Sequence, residues 1–120
     1  MTGADIVDNR VRYILNDTDG DPAVERWSDS LLLAWLNDGS RLIAERKPES
    51  LLSAAYTQTS YADIGGLGST SPLPDKYREC LVDYVCSRAF AHDAQDEHDL
   101  ERSRDHMNQF FLKSGIVVRR

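Results

Sequence analysis

Hydrophobic residues recur at helical spacing along the chain, most clearly in residues 73–91, LPDKYRECLVDYVCSRAFA. The residues at i, i+4, i+7, i+8 and i+11 of this stretch are Tyr77, Leu81, Tyr84, Val85 and Arg88. That spacing places them on one side of an α-helix. Pro74 and Asp75 suit the start of the helix, because proline fixes φ and a carboxylate accepts from free amide N–H groups. A helix this apolar on one side must be covered by other helices.

Three further stretches predict helices, over residues 4–16, 29–46 and about 93–113. Thr2 and Asp5 have the spacing of a capping box, and Ser28 is a favourable N-cap for the second stretch. Asp93 or Asp96 would cap the third, and Lys113 with Gly115 would end it. Asp8 and Arg12, four residues apart, are expected to pair on the solvent side of the first helix.

The apolar stripes of these four helices predict the core. Its expected members are Val11, Ile14, Trp35, Leu36, Leu42, Ile43, Tyr77, Leu81, Tyr84, Val85, Met107 and Phe111. In the last helix Leu100, Ser103 and Arg104 would share the face of Met107, with Phe110 beside it. Gly39 lies within the second stripe, where glycine costs about 1 kcal/mol relative to alanine. It therefore predicts either a close approach of another helix or a kink.

Residues 49–72 have no helical pattern. Residues 54–61, AAYTQTSY, alternate loosely and are rich in threonine and tyrosine, which favours a strand. GGLGSTSP at 65–72 is typical of a loop tip. The sequence thus predicts a mainly α fold, a small bundle of about four helices in one domain over residues 1–115. A long loop or β-hairpin at 49–72 would project from it, and residues 116–120 would form a short extended C-terminal arm.

The composition, with 41% hydrophobic and 28% charged residues, is typical of a soluble globular protein with a large polar surface, or of one that completes its burial by assembling. A formal net charge of −6 argues against nucleic-acid binding by the whole surface. No apolar segment approaches the roughly 20 residues that cross a bilayer, and the first ten residues lack the apolar run of a signal peptide. Cys80 and Cys86 point in different directions on one helix, so they are expected to be two buried thiols rather than a disulfide.

Two clusters of side chains are candidate metal sites. Asp17, Asp19 and Asp21 alternate as in a calcium loop, but Gly20 stands at the fourth position and Ser28 at the twelfth, where such a loop needs glycine sixth and glutamate twelfth. The second cluster comprises His92, Asp93, Asp96, Glu97, His98, Glu101, Asp105 and His106. It lacks the paired Glu-x-x-His repeats of carboxylate-bridged metal sites, so a solvated face with Arg102 and Arg104 is the preferred interpretation. We expect no cofactor, no metal and no catalytic residue.

Two segments carry a resemblance to a known family. WSDSLLLAWLNDGSRLIAERKP at residues 27–48 and LPDKYRECLVDYVCSRAFA at 73–91, followed by a helix that ends in aromatic residues, are similar to the head-to-tail connector (adaptor) proteins of tailed bacteriophages. The shared features are a helix that opens W-S-D and carries W-L-N-D-G, and a helix that opens L-P and carries L-V-D-Y-V with R-A-F. The loop at 50–71 and the C-terminal tail carry no part of the resemblance.

The resemblance implies a structural protein of the virion, located at the head–tail junction and made in the cytoplasm of the host bacterium. Such proteins form a ring, typically of about twelve copies, beneath the portal vertex. The ring extends the DNA channel and docks the tail, so the implied partners are the portal protein, tail or nozzle proteins, other copies of the chain, and double-stranded DNA that passes without sequence-specific binding.

The resemblance also implies roles for two segments. The arm that contacts the portal would consist of Ile116, Val117, Val118, Arg119 and Arg120. The loop that contacts a neighbour or the tail would use Tyr56, Tyr61, Ile64 and Leu67. Two other function classes remain open at this point. They are a helical interaction or regulatory protein of another kind, and a metal-dependent enzyme that uses the cluster at 92–106.

Overall fold

The computed structural model describes residues 1–15, 27–51, 60–92 and 97–116, with the backbone alone for 97 and 98. The regular elements within these ranges are helical, which confirms the mainly α class. The α-helices are α1 (Gly3–Ile6), α2 (Arg12–Ile14), α3 (Asp29–Arg46), α4 (Arg78–His92) and α5 (Glu97–Ser114). A π-helical segment, Val7–Val11, joins α1 to α2, and short 3-10 turns span Pro48–Leu51 and Asp75–Tyr77.

Helix α4 lies at the centre of the molecule. Every residue from 80 to 87 is buried, because α3, α5 and the N-terminal helical segment all pack against it. The buried surface of α4 is therefore wider than the single stripe that was predicted. Arg88 is exposed, although the sequence placed it on that stripe. Because α3 and α5 each pack chiefly on α4, the predicted bundle of about four helices is not confirmed.

Helix α3 has the predicted bounds. Ser28 caps it, since its Oγ accepts from the backbone N–H of Leu31 at 3.2 Å. At Gly39 the helix meets the ring of Tyr84 on α4, and a Cβ built on Gly39 would lie 2.7 Å from Cδ1 of that ring. The predicted close approach at Gly39 is confirmed, and it explains why the middle of an 18-residue helix holds a glycine.

The N-terminal helical segment departs from the predicted single helix over 4–16. Thr2 and Asp5 form the predicted capping box. The π-helical segment then advances the later residues around the helix axis, because its turns hold an extra residue. As a result Leu15 is 8% exposed, whereas Ile14, predicted to lie in the core, is 41% exposed.

The same change of phase turns Arg12 inward, so the predicted pair of Asp8 with Arg12 is confirmed but Arg12 does not lie on the solvent side. Arg12 is 5% exposed and donates to the carbonyl oxygen of Trp27 at 3.2 Å. It also pairs with the carboxylate of Asp29, the first residue of α3, while Asp8 lies 3.5 Å away. Arg12 thus joins the N-terminal helical segment to the start of α3.

Helix α5 presents a different face to α4 from the predicted one. Phe110 is fully buried, while Met107 and Phe111 are only partly buried and Leu100 is 43% exposed. The reason is that the contact with α4 runs through smaller polar side chains, so α5 is rotated toward Ser103 and His106. Of the other predicted core residues Leu42 is partly buried, and the following are buried: Val11, Trp35, Leu36, Ile43, Tyr77, Leu81, Tyr84 and Val85.

The predicted strand at 54–61 lies mostly outside the described residues, as does the segment with Asp17, Asp19 and Asp21. The described residues of the strand, Ser60 and Tyr61, are not in a strand. Between 60 and 72 the chain forms bends and turns, with one isolated antiparallel bridge between Thr2 and Thr70. The predicted β-hairpin is therefore not confirmed.

Candidate functional site

The segment at 60–72 begins along α3, where Asn37 binds its backbone. The side-chain amide of Asn37 donates to the carbonyl oxygen of Ile64 at 3.0 Å, and its Oδ1 accepts from the N–H of Ile64 at 3.1 Å. The Tyr61 hydroxyl donates to the carbonyl oxygen of Asn37 at 3.2 Å. Arg41, one helical turn after Asn37, pairs with Asp63. One face of α3 thus fixes three residues of the segment, Tyr61, Asp63 and Ile64.

The second half of this segment pairs with the N-terminus. The N–H of Ala4 donates to the carbonyl oxygen of Leu67 at 2.7 Å, and the N–H of Gly3 donates to that of Ser69 at 3.2 Å. A Cβ on Gly3 would lie 3.0 Å from both Cα of Leu67 and Cδ1 of Ile64. Gly3 therefore permits the close approach of the two backbones.

These contacts change the prediction for the loop residues. Ile64 is 8% exposed and belongs to the core, while Tyr61 and Leu67 are partly buried against it. Burial, followed by the neighbouring carboxylate of Asp63, raises the pKa of Tyr61 above its ordinary value. The described part of the loop is thus used within the subunit and does not project. Tyr56, the remaining predicted contact residue, lies outside the described residues.

The C-terminal arm also begins inside the core. Gly115 follows α5 with a φ of 76°, the left-handed conformation that glycine adopts after a helix. Nζ of Lys47, at the end of α3, donates to the carbonyl oxygen of Ser114 at 3.1 Å. Ile116 is 8% exposed, so this first residue of the predicted arm is packed in the subunit. Val117, Val118, Arg119 and Arg120 lie outside the described residues.

A polar seam between α4 and α5 was not predicted. Asp83 is 6% exposed, with Oδ1 at 2.9 Å from Nδ1 of His106 and Oδ2 at 2.7 Å from Nζ of Lys113. One turn further, the Ser87 hydroxyl donates to the carbonyl oxygen of Ser103 at 2.7 Å, and the Ser103 hydroxyl donates back to that of Ser87 at 2.9 Å. The signal in the sequence is a lone carboxylate in the apolar run C-L-V-D-Y-V-C, since a buried charge requires partners.

The histidines of the candidate metal cluster have separate surroundings. His106 stacks on Phe90 at 5.6 Å between ring centroids and binds Asp83, while His92 meets the edge of Trp35 at 5.5 Å. The side chain of His98 lies outside the described residues. Among the residues described, no three histidine, cysteine or carboxylate side chains come together to hold a metal ion.

The two cysteines are buried and unpaired, as expected. The pKa of Cys80 and of Cys86 is raised to about 12, mainly by burial and to a smaller extent by the charge of Asp83. A thiol with so high a pKa remains protonated near neutral pH and is a poor nucleophile. These polar residues therefore join helices to one another and bind backbone groups, which is a structural role.

Comparison with known protein families, with characterised proteins and with solved structures found no match. No helix in the described part of the chain is long and apolar enough to span a membrane.

Proposed function

We propose that this chain is a head-to-tail connector subunit of a tailed bacteriophage. It would form a ring of roughly twelve copies beneath the portal vertex, extend the DNA channel and dock the tail. The single observation that carries the proposal is the similarity of residues 27–48 and 73–91 to that family, in the motifs W-L-N-D-G and L-V-D-Y-V.

The contacts of the motif residues support the proposal. Gly39 of the first motif accommodates Tyr84 of the second, and Asn37 holds the backbone of Ile64. Asp83 of the second motif anchors α5 through His106 and Lys113. Each motif therefore supplies contacts that position another part of the subunit, which accounts for their occurrence in one chain.

The charge of the chain suits a channel. With 20 acidic and 14 basic residues, each copy carries a formal charge of −6. Summed around a ring, this charge repels the phosphates of a passing duplex, so DNA would slide with little adhesion. In the proposed ring the described part of the loop makes contacts within its own subunit. Of the loop residues that the resemblance implies, Tyr56 would therefore make the contact with a neighbour or the tail.

The portal contact falls to Val117, Val118, Arg119 and Arg120, because Ile116 is held in the core. Arg119 and Arg120 add positive charge to an acidic chain. The protein would act at the head–tail junction of the virion, after synthesis in the cytoplasm of the host bacterium.

The test compares two truncations in a binding assay with a purified portal ring. Deleting residues 117–120 should leave the melting temperature unchanged and weaken portal binding at least tenfold. Deleting residues 116–120 should also lower stability, by about 1–2 kcal/mol, because a buried isoleucine side chain is lost. Full portal binding by the chain that lacks residues 117–120 would contradict the role of the arm. Failure of the untruncated chain to bind any portal tested would contradict the proposed function.

A further inference from the structure

Helix α4 uses two different stripes for its two neighbouring helices. The stripe toward α5 carries Asp83 and Ser87, which bind His106 and Ser103. The stripe toward α3 begins at Tyr84, whose ring contacts Gly39. The residues four and eight positions after Tyr84 continue the second stripe, because successive turns of a helix place them on one face.

At the C-terminal end of this second stripe α3 and α4 leave a cleft of about 230 Å³. Its lining residues are Trp35, Arg88, Ala91 and His92. The floor is the indole of Trp35, which is 7% exposed and meets the edge of the His92 ring at 5.5 Å. A cleft of this volume is smaller than most cofactor sites, which hold about 300–1,000 Å³. It fits one or two side chains of a partner.

The charged group of the cleft is open to a partner. Arg88 is exposed, and its guanidinium has no ion-pair partner within the described ranges. A guanidinium binds a carboxylate through two parallel N–H donors, and the adjoining indole and methyl group favour an apolar neighbour. The cleft thus selects an acidic side chain beside an apolar one.

The outward face of α5 has that chemistry. Its packed stripe includes Ser103, His106, Phe110 and Ser114, and the stripe about 180° away, at roughly 100° per residue, points to solvent. The outer stripe consists of Glu101, Asp105, Asn108 and Leu112, all exposed. Leu112 is 74% exposed, the most of the exposed large apolar side chains in the described ranges.

We propose that copies of this chain bind one another by inserting the outer stripe of α5 of one copy into the Trp35–Arg88 cleft of the next. Asp105 would pair with Arg88, and Leu112, two turns further along α5, would pack on the apolar part of the cleft. The two surfaces are different parts of the subunit, so the contact is heterologous and can close into a ring. The inference deepens the proposed function and rests on it for the ring itself, since it names the faces that join the subunits.

The test is sedimentation velocity of the full chain over a concentration series, at low and at high salt. Wild type should associate at low salt and dissociate as salt is raised, because the contact is partly ionic. Arg88→Glu and Asp105→Arg should each raise the dissociation constant at least tenfold. The double variant Arg88→Glu/Asp105→Arg should associate again, because the swapped charges attract.

Two exposed residues of α3 supply matched controls. Arg46→Glu and Glu45→Arg make the same charge changes away from both surfaces, so both should associate as wild type does. A melting curve of each variant shows that it is folded. A wild type that remains monomeric up to its solubility limit would overturn the inference, and so would an Arg88→Glu variant that associates normally.

Portal binding, measured on the same proteins, separates this inference from the proposed function. If Arg88→Glu assembles on a portal ring as wild type does, the contact between copies is wrong while the connector role stands. If wild type associates through the two faces yet binds no portal, the contact stands and the connector role fails.

Discussion

At the scale of single residues, the contact between Gly39 and Tyr84 sets the distance between α3 and α4. The Tyr84 ring lies against the backbone of α3 on one side and meets Phe110 of α5 on the other, with ring centroids 5.1 Å apart. One side chain of the central helix therefore spaces two neighbouring helices. A larger residue at position 39 must displace this ring, since a Cβ there would be 2.7 Å from it.

Gly39→Ala tests this contact. Alanine gains about 1 kcal/mol of helix propensity over glycine, but overpacking against a buried ring costs about 1–3 kcal/mol. We expect a net loss of stability on the order of 1 kcal/mol, measured by urea unfolding. The control is the same change in a Tyr84→Ala background, where the clash is absent and alanine should be neutral or stabilising. Equal effects in both backgrounds would refute the contact.

The buried thiols give a dependence of stability on pH. Unfolded thiols ionise near pH 9, whereas burial raises the pKa of Cys80 and Cys86 in the folded chain to about 12. The folded state therefore binds more protons in this interval, and the thiol contribution is present below about pH 9 and lost as the pH rises toward 12. Stability should therefore fall as the pH rises between these values, by on the order of 1 kcal/mol per thiol per pH unit.

The measurement is urea unfolding at a series of alkaline pH values. Burial also raises the pKa of Tyr61, Tyr77 and Tyr84, so part of the slope remains without the thiols. The Cys80→Ala/Cys86→Ala variant serves as the control, and its stability should fall less steeply with pH. The same slope in both proteins would mean that the thiols titrate alike in the folded and unfolded states.

At the scale of elements, the polar seam fixes how α5 lies on α4. Asp83→Asn removes the charge that pairs with Lys113 and His106 while keeping the shape of the side chain. We expect a loss of about 1–3 kcal/mol, since a buried polar site loses its charged hydrogen bonds and Lys113 is left without its partner. Thermal and urea unfolding both report the change.

Asp105→Asn is the matched control for the seam. It makes the same chemical change on the exposed face of α5 and should shift stability by no more than about 0.5 kcal/mol. A cycle with Lys113→Met should recover part of the loss caused by Asp83→Asn, because the two residues interact directly. Independent, additive effects would contradict the pairing of Asp83 with Lys113.

The helices differ in how far the sequence predicted them. Helix α3 was predicted with its bounds, because both of its ends have local signals. Ser28 caps the start, and Pro48 after Lys47 cannot continue a helix. Ile14 and Arg12 were misplaced, because a π-helical segment alters the phase and has no signature in the hydrophobic pattern. Phe110 was placed beside the core rather than in it, since the rotation of α5 depends on the partners of Asp83 on another helix.

At the scale of the whole molecule, the candidate sites depended on contacts between distant segments. The resemblance implied that Tyr61, Ile64 and Leu67 contact a neighbour or the tail, yet Asn37 and the N-terminus hold this segment in the subunit. The same resemblance assigned Ile116 to the arm that contacts the portal, and Ile116 packs in the core. Neither outcome is encoded within one element. The Trp35–Arg88 cleft likewise combines residues of α3 and α4 and could not be recognised from spacing.

The proposed assembly is a property of several copies together. An acidic subunit with separate exposed faces suits a closed ring around a repelled duplex. Its interior supplies helix-to-helix contacts through Tyr84 and Asp83, so each copy would bring a fixed framework to the ring.

The most direct test of the connector role is the mass of the purified protein in solution, measured alone and after mixing with a portal ring by native mass spectrometry. The account predicts that the chain joins the portal in a fixed stoichiometry that matches the symmetry of the ring. A protein that stays free in the presence of every portal tested, or that carries a tightly bound metal, would contradict it.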